Sequence, residues 1–223
     1  AGDTAHPKYY NTSPVFDDTG KLLSTYRKCH IPQDPGFYEK DYFAEGDKLE
    51  VVKTKFGKIC VMICFDQWFP EAARHAALKG AQLLVYPTAI GVPDNIPIFP
   101  GDENWRDMWQ TAQRGHAACN NVYVAAINRV GNERSRDGST TAFFGGSFIA
   151  NYAGKMIAHA DKSPESIIAE CNFHLQRESQ LAWNFFPNRR PDLYGSVTND
   201  SKTLRGSPAH DITGTEPATG HPA

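Results

Sequence analysis

One stretch limits the possible folds more than any other. Ile59-Cys60-Val61-Met62-Ile63-Cys64-Phe65 is a continuous apolar, partly β-branched run. Such a run suits a strand buried on both faces, as in a sheet covered by helices. Pro70-Glu71 then opens a helix, because proline fits the first helical position and glutamate complements the helix dipole. Ala72, Ala73, Ala76 and Ala77 supply a small apolar stripe, Lys79 sits in the last turn, and Gly80 is placed to stop the helix. Leu83-Leu84-Val85-Tyr86 reads as a second buried strand. Strand, helix and strand at this crossover length predict parallel neighbours in one sheet.

The pattern recurs and then changes. Trp105–Asn120 reads as a helix leading into a strand at Val122–Ile127. Ser147–Ala150, a turn at Ala153-Gly154 and Met156–Ala158 predict an antiparallel hairpin, with one more strand at Ser166–Ala169. Upstream, Val15-Phe16, Asp17–Gly20 and Leu22-Leu23 read as strand, tight turn, strand. The long irregular stretch from Cys29 to Glu50 carries Phe37, Tyr38, Tyr42 and Phe43, which argue that it is ordered. Helix-covered parallel strands followed by antiparallel ones predict an α/β layered fold with mixed sheets. The expected division is a domain over residues 1–196 and a polar tail over 197–223, where no aromatic residue occurs.

Charge and cysteine usage narrow the function classes. The 23 Lys+Arg against 25 Asp+Glu give a net charge of −2, no basic footprint and so no expected nucleic-acid partner. The longest apolar run is too short to span a bilayer and no signal pattern opens the chain, so no membrane is expected and the cytoplasm is the default. Cysteines 29, 60, 64, 119 and 171 contain no Cys-x-x-Cys pair, which fits a reducing compartment and ranks a thiol redox protein last. The eight histidines do not cluster with them at ligand spacing, so no metal is expected.

Cys64 stands at the carboxyl end of a predicted buried strand, just before the turn into a helix. Ligands bind at that edge of open α/β sheets, and a nearby cation lowers a thiol's pKa. Spacing alone nevertheless favours a packed cysteine over a nucleophile. Cys60, deeper on the same predicted strand, reads as core. Lys28 closes a predicted strand and suits stabilising an oxyanion or thiolate, although most strand-end lysines are merely solvated. Glu39 lies among aromatics, where burial would raise its pKa. His116, on the predicted helix, reads as a packing histidine.

Taken in order, these positions form larger motifs. They are Arg27-Lys28-x-His30-Ile31-Pro32, Gly36-Phe37-Tyr38-Glu39-Lys40-x-Tyr42-Phe43-x-x-Gly46, and Cys64-x-Asp66-x-x-x-Pro70-Glu71. Tyr86–Gly91, Asn128-Arg129-Val130-Gly131 and Arg189–Tyr194 follow. Across residues 9–196 the series resembles the nitrilase superfamily of carbon–nitrogen hydrolases. The resemblance implies an α-β-β-α sandwich that pairs with a second copy in a homo-oligomer, acting on a small ureido or amide substrate without cofactor. Carried over, Cys64 is the nucleophile, Lys28 stabilises the oxyanion together with the Phe65 N–H, and Glu39 orients the lysine and the substrate amide.

The stretch Asp66-Gln67-Trp68-Phe69-Pro70-Glu71-Ala72-Ala73-Arg74 is similar to the branch that acts on N-carbamoyl amines. That similarity implies hydrolysis of the carbamoyl C–N bond of N-carbamoylputrescine, a step of polyamine biosynthesis. Relatives acting on N-carbamoyl amino acids place an arginine three or four residues after the cysteine. Here Gln67 and Trp68 stand there, and an aromatic face suits an alkyl chain or ammonium better than a carboxylate. Thr88 is a further expected substrate contact, and Asp102 and Glu103 are placed to receive the far amine, or form a solvated loop. The family's principal general-base glutamate lies upstream of the hairpin. No residue in 1–14 matches its motif, and the chain opens Ala1-Gly2-Asp3 without methionine. The chain is therefore expected to be an N-terminally incomplete sandwich. The alternatives are another amidase or a ureidopropionase-like hydrolase of the superfamily, or an inactive interaction subunit.

Overall fold

Two strands, β1 (Thr12–Phe16) and β2 (Leu22–Arg27), run antiparallel across a turn closed by Gly20 at φ 82°. Asp17 Oδ1 accepts the N–H groups of Thr19 and Lys21, so the side chain replaces backbone partners in the turn. The structure is a computed structural model and describes residues 7–34, 36–96 and 104–198. The aromatic stretch after β2 is mostly irregular but ordered: β3 (Gln33–Asp34) pairs with β4 (Phe37–Tyr38), and a 3₁₀ turn covers Glu39–Asp41.

Next come β5 (Val52–Lys53), β6 (Lys58–Val61), α1 (Pro70–Leu78), β7 (Leu83–Thr88), β8 (Gly91–Pro93), α2 (Trp105–Asn120) and β9 (Tyr123–Asn128). They are followed by β10 (Val130–Arg134), β11 (Thr140–Phe144), β12 (Phe148–Ala150), β13 (Met156–His159) and α3 (Phe173–Trp183). Six strands form one mixed sheet in the order β13-β12-β9-β7-β6-β5. Within it β6, β7 and β9 are parallel, as the two crossovers require, and the other pairings are antiparallel.

The register explains the core. Cys60, Leu84, Val124 and Ala150 are cross-strand partners in one row, and Tyr86, Ala126 and Phe148 form the next. All seven are fully buried, packed with the alanine stripe of α1 and with Trp109 and Ala117 of α2. A fully buried Leu84 contributes about 1.5–3 kcal/mol of burial free energy. On the opposite face Val61 joins Val15 and Val52, with Leu23, Ile59 and Val85 packed against them, so the β1–β2 hairpin covers that side. Helix α1 keeps its expected punctuation, with Pro70 opening it and Gly80 following it at φ 90°; in α2 the Asn104 side chain supplies the cap.

Two expectations need correction, and two features have no counterpart in the sequence reading. The first strand stops at Val61 rather than Phe65, because the Ile63 N–H turns from the sheet to the Asp66 carboxylate. Ser166–Ala169 is not a strand: among the described residues it pairs with no neighbour, and Ile168 is almost wholly exposed. Strands β8, β10 and β11 form an unforeseen three-stranded antiparallel sheet. Helix α3 was also unforeseen. The described residues from Pro187 onward form a separate compact unit. It holds an Arg190–Asp192 ion pair and a short helix at Gly195–Thr198. The expected tail lies outside the described residues beyond Thr198. Among the described residues no helix is long and apolar enough to cross a membrane.

Candidate active site

Cys64 occupies a sharp elbow. The chain leaves the sheet after the Met62 N–H bonds the Val85 carbonyl, Ile63 stays extended, and Cys64 turns at φ 48° into a 3₁₀ turn over Cys64–Trp68. A left-handed cysteine is uncommon and strained, and such strain concentrates at functional sites. The thiol is half-buried as a residue, yet burial pushes its pKa up as the dominant influence. The Lys28 ammonium and a hydrogen bond from the Ala89 backbone pull it down, while the charges of Glu39 and Asp66 push it up. Cys60 differs: burial first, then Asp66, drives that core thiol up to about 12.

Lys28 directly follows β2 and is fully buried. Its Nζ donates to both Glu39 oxygens, at 2.7 and 2.8 Å. The backbone is fixed as tightly: the Lys28 N–H bonds the Asn11 carbonyl at 2.9 Å, and its carbonyl accepts the Gly46 N–H at 2.8 Å. Gly46 is required there, since a Cβ would lie 2.2 Å from the Arg27 carbonyl oxygen. The structure thus brings Lys28 and Glu39 into contact, with both charges acting on Cys64.

Asp66 was not singled out as a site residue. It is fully buried, and its carboxylate gathers four partners. Oδ2 accepts the Tyr26 hydroxyl at 2.7 Å and the Ile63 N–H at 2.8 Å. Oδ1 accepts the His30 N–H at 3.0 Å and lies 2.7 Å from His30 Nδ1. A carboxylate only accepts, so Nδ1 is the hydrogen-bearing nitrogen of His30, whose ring stacks on Phe69 at 3.8 Å. The available signal was an acid two residues after the cysteine, at the end of an apolar run.

The other expected residues take varied places. Gln67 is fully buried, and its Oε1 accepts Thr88 Oγ1 at 3.0 Å and Trp109 Nε1 at 2.8 Å. Trp68 is half-buried against the main core, and Phe65 is half-buried with its ring edge-on to Phe69. His116 donates from Nε2 to the Gln67 carbonyl at 2.8 Å, and burial holds its pKa down, so a neutral ring secures the turn. Asp102 and Glu103 lie outside the described residues. Among the described residues no three His, Cys, Asp or Glu side chains converge as metal ligands. Chemically, a thiol in the field of a fixed ammonium suits attack on a carbonyl with stabilisation of the resulting oxyanion.

Comparison with known proteins agrees with this geometry. The profile of the family described as carbon-nitrogen hydrolase matches residues 2–179. An N-carbamoylputrescine amidase from Arabidopsis thaliana is 43% identical over 197 residues, covering 86% of this chain and 64% of that protein. A citrullinase from Francisella tularensis subsp. tularensis is 43% identical over 190 residues, covering 84% of this chain and 65% of that protein. The chain therefore spans just under two thirds of the length of these relatives. A crystal structure of a carbon-nitrogen hydrolase from Helicobacter pylori G27 superposes with a TM-score of 0.82 at 41% identity, over 86% of this chain and 67% of that one.

Proposed function

The chain belongs to the carbon–nitrogen hydrolase family, with the nitrilase fold, and from that membership we propose that it hydrolyses the carbamoyl C–N bond of N-carbamoylputrescine. The observation that carries the reading is the buried Lys28–Glu39 pair, whose charges act on a cysteine at a strained elbow. Two of the relatives carry names that point to a ureido group on a short alkyl chain with a distal amine, as in carbamoylputrescine and citrulline. They differ by one carboxylate. Gln67 and Trp68 in place of an arginine favour the substrate without it.

In the proposed reaction the Cys64 sulfur bonds to the carbamoyl carbon and its proton passes to a general base. The carbonyl oxygen takes the negative charge beside Lys28 and the Phe65 N–H. The protonated base returns its proton as ammonia leaves, giving a carbamoyl thioester. Water, deprotonated by the same base, then releases a carbamate, which loses carbon dioxide to give the amine. Glu39 is committed to Lys28 and both Asp66 oxygens are filled. The resemblance implies that the base is a glutamate upstream of the hairpin. Assembly as a homo-oligomer, serving polyamine biosynthesis, belongs to the same proposal and rests on the resemblance.

Ammonia release by the full-length protein from N-carbamoylputrescine, citrulline and N-carbamoyl-β-alanine tests the reading. N-carbamoylputrescine should be hydrolysed fastest. Preference for either amino acid would defeat the amine assignment, and release from none of them would defeat the hydrolase assignment.

A further inference from the structure

The buried Asp66 carboxylate does no chemistry in the reaction above, yet it is among the most heavily bonded side chains in the molecule. Its partners are not scattered. Tyr26 lies two residues before Lys28 and His30 two residues after, while Ile63 immediately precedes Cys64. The Tyr26 hydroxyl also accepts the Cys29 N–H at 3.2 Å, so residues 26, 29 and 30 are all tied to one point. The Asp66 N–H closes the elbow on the Ile63 carbonyl at 3.1 Å.

We propose that Asp66 is a positioning residue that ties the Tyr26 side chain before Lys28 and the His30 backbone after it to the Cys64 elbow, and so sets the lysine–sulfur geometry. This rests on the reading of Cys64 and Lys28 as the working pair. Lys28 and Cys64 belong to different segments, 36 residues apart in the chain. Glu39 holds the lysine's head but does not bind the elbow. Asp66 bonds both segments directly. A misplacement of only 1 Å can cost about 10²-fold in rate, so a clamp of this kind is worth a buried acid.

The test compares full-length wild type, Asp66→Asn and Tyr26→Phe, with circular dichroism confirming the fold. Two quantities are read: steady-state ammonia release from N-carbamoylputrescine, and the pH midpoint for iodoacetamide alkylation of Cys64, followed on its own peptide by mass spectrometry. The charges acting on Cys64 are Lys28, Glu39 and Asp66, and Asp66 itself pushes the thiol pKa up. Simple loss of that charge would therefore lower the midpoint, whereas release of Lys28 raises it.

The clamp predicts a raised midpoint in both variants and a kcat lowered by about 10²-fold in Asp66→Asn with KM little changed. Tyr26→Phe should show a smaller fall. A midpoint that drops in Asp66→Asn, or stays fixed in Tyr26→Phe, overturns the proposal. Should Asp66→Asn not fold, Tyr26→Phe, which keeps the carboxylate and removes one donor, decides alone. A wild type that hydrolyses no ureido substrate defeats the proposed activity, but the midpoints still decide the clamp.

Discussion

Glu39→Gln isolates the electrostatics of the site. The Lys28 side chain is 0% exposed and its Nζ lies 2.7 and 2.8 Å from the Glu39 oxygens, while the Glu39 side chain is 24% exposed. Glutamine keeps the volume and one acceptor oxygen but leaves a buried ammonium without a counter-charge. Breaking a buried pair from one side costs about 3–5 kcal/mol. The remaining acceptor and the access of water to position 39 reduce this to about 2 kcal/mol. Lys28→Met combined with Glu39→Gln removes both charges and should recover most of that loss. Urea unfolding of wild type, both single variants and the double variant reads the coupling directly. A Glu39→Gln protein within about 0.5 kcal/mol of wild type at unchanged m-value would refute the reasoning, since Lys28 would then not depend on Glu39.

Two further outcomes follow from close contacts and burial. Gly46→Ala places a methyl 2.2 Å from the Arg27 carbonyl oxygen and 2.8 Å from its carbon, both backbone atoms. The loop must shift, losing the bond to the Lys28 carbonyl. Thermal unfolding should report a loss of about 1–3 kcal/mol, with ammonia release falling in parallel, and unchanged activity would contradict the close approach. His116 has a pKa below its ordinary 6.5 because it is buried, so the unfolded chain takes up that proton first. Its contribution is complete above pH 6.5 and is lost as the pH falls below that value. His116→Gln, which can still donate to the Gln67 carbonyl, should flatten the decline in urea midpoint on acidification, and an unaltered decline would contradict the assignment.

Much of the frame was legible because it is local. The boundaries of α2 coincide with the expected Trp105–Asn120, and in the structure the capping Asn104 and a left-handed Asn121 mark its ends. Proline and glycine did the same for α1. The unreadable parts are those decided by distant partners. Nothing in an apolar run tells that Ile63 will abandon the sheet for Asp66, so the left-handed Cys64 elbow was hidden inside an expected strand. Strand β10 is largely exposed and polar, β11 is mostly half-buried, and neither carries a clear alternation, so their mutual pairing and β8 define them. In α3 the one buried residue is Gln176, which donates to the Gln82 and Asn121 carbonyls, so the helix is anchored by an amide and gives no apolar stripe to read. At the site, residue type and motif order singled out Cys64, Lys28 and Glu39. The Asp66 bonds, reaching 36 and 40 residues along the chain, left no trace in spacing.

The central claim is that Cys64 forms the covalent intermediate. Full-length protein mixed with N-carbamoylputrescine, quenched in acid and digested for peptide mass spectrometry tests it directly. The Cys64 peptide should gain the mass of the substrate less ammonia, and Cys64→Ala should show neither adduct nor ammonia release. Ammonia release with Cys64 unmodified, or an adduct confined to another cysteine, would contradict the account.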